Sequence, residues 1–260
     1  YRGNMNKKRV YISVVSHKQE TLIIDNFKYL DLHNESLDIR LVLMDNTNSS
    51  KLENFAKENG HLYYADEKTR GYGENHNKSF EIANVKEGDI FIVCNPDVIL
   101  EKDQLLGMLD SFISNNKDFE NVTCYYDRNK TILSNPDRYF PYFFNFVASI
   151  VLRKRLHYGS NFDVVHPEWI SGEFMIIKAD IYIKLNGFDE DYFMYVEDID
   201  LCYRAKKLGI KITHNKDFYI IHETQMDSRN VLSNRFKMHL SSAFTYLKKH
   251  KIYGLIKIAK

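Results

Sequence analysis

The feature that most constrains this chain is an alternation. Four short runs, VYISVV (10–15), RLVLM (40–44), LYYA (62–65) and DIFIVC (89–94), are each followed by a stretch with helical character. Ile23, Phe27 and Leu30 mark the first such stretch, Phe80 and Ala83 the third, and Leu105, Leu106, Leu109 and Phe112 the fourth. Unbroken β-branched and aromatic runs read as buried strands. Strands that alternate with helices pair in parallel, because a parallel neighbour needs a long crossover. The expectation is an α/β protein with a mostly parallel central sheet flanked by helices. Ligands of such sheets bind beyond the carboxyl ends of the strands. The polar clusters at Ser16, Asp45, Arg70 and Asp97 all fall just past a strand end.

Residues 115–168 show turn signals (SNPDRYFP) and many aromatics but no clear period. Order returns at EFMIIK (173–178), in GFDEDYFMYVEDIDLCYRAKKLG (187–209) and in a last strand, DFYIIH (217–222). Leu201, Ala205 and Leu208 share a helix face, and Gly209 suits a left-handed helix end.

At 260 residues the chain can build one large core. Its net charge of +1 argues against whole-protein attraction to nucleic acid. The average hides an asymmetry. Residues 229–260 hold eight Lys or Arg and no acid, so +1 less those eight leaves −7 for residues 1–228. Cys94, Cys124 and Cys202 are isolated, as expected of reduced cytosolic thiols. No secretory signal is visible, and FFNFVASIVL (143–152) is too short to span a bilayer. A cytoplasmic protein is expected. Tyr1–Asn4 precede a plausible start at Met5 and are left out of the fold, giving a main domain at 5–228 and a basic segment at 229–260.

Several residues offer chemistry, each with a plain structural alternative. In FIVCNPDVIL (91–100) the strand runs into Asn95-Pro96-Asp97. This is either an ordinary type I turn or a rigid mount, since Pro96 fixes its own φ and restricts Asn95, aiming the Asp97 carboxylate. Glu197, Asp198 and Asp200 fit acidic capping of a helix start, with Asp200 paired to Arg204 at i+4. The aromatics of DYFMY just before them suggest a partly enclosed wall, where a carboxylate can act as general base. His222 ends an apolar strand and is either a structural hydrogen-bonder or, with Asp97, part of an oxygen and nitrogen site suited to Mn²⁺ or Mg²⁺. Arg70 and Gly71 lack the phosphate-loop pattern, yet they permit close backbone approach to a ligand beside a planar guanidinium. Asp45 can accept from a nucleobase imide or cap the following helix.

Together, VYISVVSHKQE, LVLMDNTNSS, RGYGENHN, NPDVIL, WISGEFMII, GFDEDYFMYVEDIDLCYRAKKLG and the terminal Ile-His resemble the inverting family 2 glycosyltransferases, in particular the bacterial rhamnosyltransferase-like branch, over residues 10–225. The resemblance implies a GT-A fold, which is Rossmann-like. It implies that Asp45 and Arg70, with Gly71, read a pyrimidine base, that Ser16 lies near the ribose, and that Asn95 stands beside the nucleotide. Asp97 would bind Mn²⁺ or Mg²⁺ on the diphosphate, with His222 as second ligand. Asp198 would deprotonate the acceptor hydroxyl, Glu197 would orient the site, and Trp169, Gly172 and Glu173 would line the acceptor or sugar pocket. Asn95 departs from the family's Asp-x-Asp, whose first acid it replaces.

The implied reaction moves a sugar from a nucleotide diphosphate to a glycan acceptor of bacterial surface polysaccharide, O-antigen or capsule. dTDP-rhamnose leads as donor, ahead of UDP-hexose, UDP-galactofuranose or a UDP-amino sugar. A nucleotidyltransferase and a non-catalytic nucleotide- or glycan-binding module are the readings from other classes. In the tail, Phe236, Leu240, Phe244 and Leu247 recur at i, i+4, i+8 and i+11 and predict an amphipathic helix with a basic face. It either packs back on the domain or rests on an anionic membrane, on the cytoplasmic face of the inner membrane near a lipid-linked acceptor.

Overall fold

The four amino-terminal runs become strands β1 (Lys8–Ser16), β2 (Leu37–Asp45), β3 (Leu62–Ala65) and β4 (Ile90–Cys94) in a computed structural model, which describes residues 7–66, 68, 70–151, 157–223 and 234–252. They are mutually parallel, and Ser16 pairs with Asp45, which pairs with Ala65, so three strand ends finish level. The second half of the sheet is mixed. Strand β7 (Phe174–Lys178) runs antiparallel to β4, and β6 (Phe119–Tyr125) runs antiparallel to β7. Strand β8 (Ile212–His222) is parallel to β6, and the two-residue β5 (Val98–Ile99) closes the edge antiparallel to β8. The order is β3-β2-β1-β4-β7-β6-β8-β5. Parallel pairing thus holds where one helix bridges each strand to the next, and yields where the chain makes longer excursions.

Alternate residues of the central strands enter two cores, one on each face of the sheet. Val10, Ile12, Ile90, Ile92 and Ile176 pack with Ile23 and Phe27 of α1 (Glu20–Phe27), Leu52 and Phe55 of α2 (Ser50–Glu58), and Leu105, Leu109 and Phe112 of α4 (Lys102–Ser114). Tyr11, Phe91, Val93, Met175 and Ile177 face the other way. They meet Phe80 of α3 (Tyr72–Ile82), Phe146 of α5 (Phe143–Val151), Tyr182 of α6 (Ala179–Lys184), Leu201 and Ala205 of α7 (Glu197–Lys207), and Ala243, Tyr246 and Leu247 of α8 (Asn234–His250).

Three expectations change. Leu208 is 47% exposed, because α7 has ended and Gly209 takes the left-handed φ of +71°. The segment 115–168 contains β6, whose interior carries Glu120, a fully enclosed acid that accepts a hydrogen bond from Thr213 Oγ1 at 2.8 Å. The tail helix α8 buries Ala243, Tyr246 and Leu247, while Leu240 and Phe244 stay exposed. It packs on the domain, and the side chain of Phe236 lies outside the described residues. All three cysteines are free and buried. Among the described residues no helix is long and apolar enough to cross a membrane.

Candidate active site

Asn95-Pro96-Asp97 is both a turn and a mount. Val98 N–H donates back to the Asn95 carbonyl at 3.2 Å, and Asn95 N–H donates to the Glu173 carbonyl at 3.0 Å. Asn26 Nδ2 clamps the Pro96 carbonyl at 3.0 Å. Because Val98 pairs with His222 across β5 and β8, the preceding Asp97 is delivered to the imidazole. Asp97 Oδ1 lies 2.9 Å from His222 Nε2, and Glu173 Oε2 lies 3.2 Å from Nδ1. Burial works against charge on His222, but its partners Asp97, Cys124 and Glu173 outweigh it and push its pKa up to about 12.

These donors fit a hard divalent cation. Two neighbouring ligands of an octahedral ion with bonds of about 2.1 Å stand about 3 Å apart, near the Asp97–His222 separation. A ligand histidine commonly gives its other ring N–H to a carboxylate, and Glu173 stands there. Cys124, Glu173 and His222 also cluster within 4.8 Å. Burial raises the Cys124 thiol to about 12, which disfavours thiolate ligation on that side.

The other acid pair arrives on α7. Tyr195 and Val196, just before it, both have φ of +70°. That left-handed geometry is costly for a β-branched residue. It is held by burial of Val196 and by Ser242 Oγ of α8, which donates to the Met194 carbonyl at 2.9 Å. Asp198 accepts from Ile199 N–H at 2.8 Å and from Gly172 N–H at 3.1 Å. Burial raises its pKa, opposed by those two N–H groups and by Arg138. Glu197 is raised well above the carboxylate range by burial and then by Asp198, and its Oε2 has no partner. Asp198 is therefore the more readily ionised of the two.

The two acids meet across a short chain of contacts. Tyr72 Oη lies 2.9 Å from Asn95 Oδ1 and 2.6 Å from the Gly172 carbonyl, and the Gly172 N–H supports Asp198. Asp97, His222, Glu173, Asn95, Tyr72, Gly172 and Asp198 thus form one connected set of contacts. Tyr72 and Arg138 went unnoticed in the sequence. The Arg138 guanidinium is buried 4.8 Å over Trp169 and 3.9 Å from Glu173. Only its place in SNPDRYFP could have hinted at it.

Other candidate residues are placed differently. Trp169 is 5% exposed and donates Nε1–H to the Tyr139 carbonyl at 3.0 Å, so it backs Arg138 and does not line an open pocket. A Cβ on Gly71 would come within 2.6 Å of the Phe193 carbonyl and 2.8 Å of that of Tyr192. Its close approach is to the segment before α7. Asp45 is enclosed and accepts from Thr47 N–H and Oγ1, Ser49 N–H and Tyr63 Oη. That fits the loop-organising alternative. Ser16 Oγ and Arg70 Nη1 are buried with no partner, while Arg70 Nη2 pairs with Asp66 at 2.5 Å.

A model of the family described as "Glycosyltransferase like family 2" matches residues 9–230. The rhamnosyltransferase WbbL of Escherichia coli K12 is 31% identical over 252 residues, covering 94% of each protein. An N-acetylglucosaminyl-diphospho-decaprenol L-rhamnosyltransferase of Mycobacterium tuberculosis is 28% identical over 79 residues, 30% of this chain and 26% of that protein. Among solved structures, the mannosyltransferase PcManGT of Pyrobaculum calidifontis, in complex with GDP-Man and Mn²⁺, superposes with a TM-score of 0.61. It is 16% identical and covers 97% of this chain and 67% of that one, a likeness of fold. A family match over most of the chain, and a relative alike along nearly its full length, settle the class: this chain belongs to glycosyltransferase family 2 and is a sugar-transferring enzyme with the GT-A fold.

Proposed function

We propose that the enzyme transfers L-rhamnose from dTDP-rhamnose to a glycan acceptor, with inversion and with a divalent cation at Asp97 and His222. The observation that carries the chemistry is the chain of contacts that links Asp97–His222 to Asp198 through Asn95, Tyr72 and Gly172. When bound, the cation neutralises charge on the departing diphosphate. Asp198 takes the proton from the acceptor hydroxyl. That oxygen forms its bond to the anomeric carbon as the carbon–phosphate oxygen bond breaks, and the electron pair leaves with the nucleoside diphosphate. Glu197, whose pKa is raised by burial and then by Asp198, stands beside Asp198 and orients the site. Ser16 and the free Arg70 Nη1 are donors for the nucleotide.

The E. coli relative's name supports rhamnose, and the mycobacterial relative's name supports a polyprenyl diphosphate acceptor. Surface-polysaccharide synthesis at the cytoplasmic face of the inner membrane is the setting we propose for it. UDP-hexose, UDP-galactofuranose and UDP-amino sugars are the alternative donors. Family membership removes the nucleotidyltransferase and the binding module. A thermal-shift panel of dTDP-rhamnose and UDP-sugars, with and without Mn²⁺, tests the donor. Stabilisation by dTDP-rhamnose only with metal is expected, and a response to UDP-sugars alone would replace rhamnose.

A further inference from the structure

The Tyr72 hydroxyl stands between the two halves of the site, and its proton inventory has a consequence. A phenol has one proton and can serve one acceptor well, yet Tyr72 Oη faces both Asn95 Oδ1 at 2.9 Å and the Gly172 carbonyl at 2.6 Å. The carbonyl can only accept, so it takes the proton. The Tyr72 oxygen must then accept from Asn95, which requires the amide to present its NH₂ there. A half-turn of the amide exchanges its oxygen and nitrogen, an orientation that hydrogen-bond partners decide. That turn puts the carbonyl oxygen where Nδ2 stands, 3.5 Å from His222 Nε2.

We propose that Tyr72 is a positioning residue whose hydroxyl turns the Asn95 carbonyl toward His222, adding a third oxygen or nitrogen donor for the cation, while holding the Gly172 peptide that supports Asp198. This rests on the cation reading above. A tyrosine hydroxyl keeps its proton at neutral pH. The arrangement also gives a reason for asparagine at 95. A carboxylate there would claim the Tyr72 proton and leave the Gly172 carbonyl without it. An amide donates to Tyr72 and still offers an oxygen on its other side.

The test is Mn²⁺ binding, followed by electron paramagnetic resonance in the presence of excess UDP or dTDP. Tyr72→Phe and Asn95→Ala should each weaken Mn²⁺ about 10-fold or more. The double variant Tyr72→Phe/Asn95→Asp should recover most of that loss, because a carboxylate presents oxygen whichever way it turns. Wild-type affinity in Tyr72→Phe would overturn the proposal, as would a double variant no better than Tyr72→Phe, which would mean a packing role alone. If Tyr72→Phe does not fold, Asn95→Ala decides, and unchanged affinity there is fatal. Asp97→Ala separates the two claims. If it binds Mn²⁺ as the wild type does, or if the wild type binds none, the cation reading falls and takes this proposal with it. If only Asp97→Ala loses Mn²⁺, the cation reading survives and the role of Tyr72 does not.

Discussion

His250, near the end of α8, places Nε2 2.7 Å from Oδ1 of Asp200 on α7, fifty positions earlier. Asp200 is fully enclosed, and Arg204 Nε reaches its other oxygen at 2.7 Å. The last described helix is thereby fastened to the one that carries Glu197 and Asp198. Removing a partner from a buried hydrogen-bonded acid costs about 1–3 kcal/mol. His250→Ala should therefore lower the melting temperature by several degrees.

The same pair sets an acid dependence. Burial alone would raise Asp200, but His250 and Arg204 hold it below its usual value. A depressed carboxylate stabilises the fold above its unfolded pKa of about 3.9 and loses that contribution as pH falls through the folded value. Asp200→Asn should melt lower than wild type at pH 7, with the gap closing below about pH 4. A constant gap across that range would mean the carboxylate's charge is not what holds α8.

Glu197 carries the opposite sign. Its raised pKa means the fold favours the protonated acid, so stability is lost as pH rises through the folded value. Glu197→Gln keeps the shape without the ionisable group. Its melting temperature should exceed that of wild type increasingly toward alkaline pH and converge with it in acid, as scanning calorimetry would measure.

Asp198→Asn should lower the transfer rate about 10²- to 10⁴-fold, the usual loss of a general base. Nucleotide affinity by calorimetry should be little changed. In the wild type the acid limb of the rate profile should sit above the ordinary aspartate range, because burial raises Asp198. Full activity in Asp198→Asn would remove the base assignment.

One flank of α8 is both basic and apolar. Lys237, Leu240, Phe244, Lys248 and Lys251 are exposed at i, i+3, i+7, i+11 and i+14. Among the described residues no acid forms a salt bridge with these lysines. Changing the three lysines to glutamate should abolish co-sedimentation with phosphatidylserine vesicles and leave binding to neutral ones unaffected. Equal sedimentation before and after would dispose of the membrane reading.

The amino-terminal strands were legible because their apolar runs are unbroken, and the sheet edge they form placed Ser16, Asp45 and Asp97 correctly in space. Strand β6 was not legible. Glu120 interrupts its run, and the partners that satisfy that acid, Thr213 and Asn215, lie about ninety positions away. At Gly71 a sequence records the missing side chain but not the carbonyls that fill its place. In the tail the spacing of Leu240, Phe244 and Leu247 marks one stripe, yet the helix docks through Ala243, Tyr246 and Leu247. Tyr72 and Arg138 act through distant partners, so no local pattern marks them.

The tight seating of Gly71 bears on attempts to alter donor choice. Any side chain there would press two carbonyls of the Tyr192–Phe193 backbone, and through Val196 disturb the start of α7. Libraries that randomise this position would trade away turnover before they sampled a new sugar.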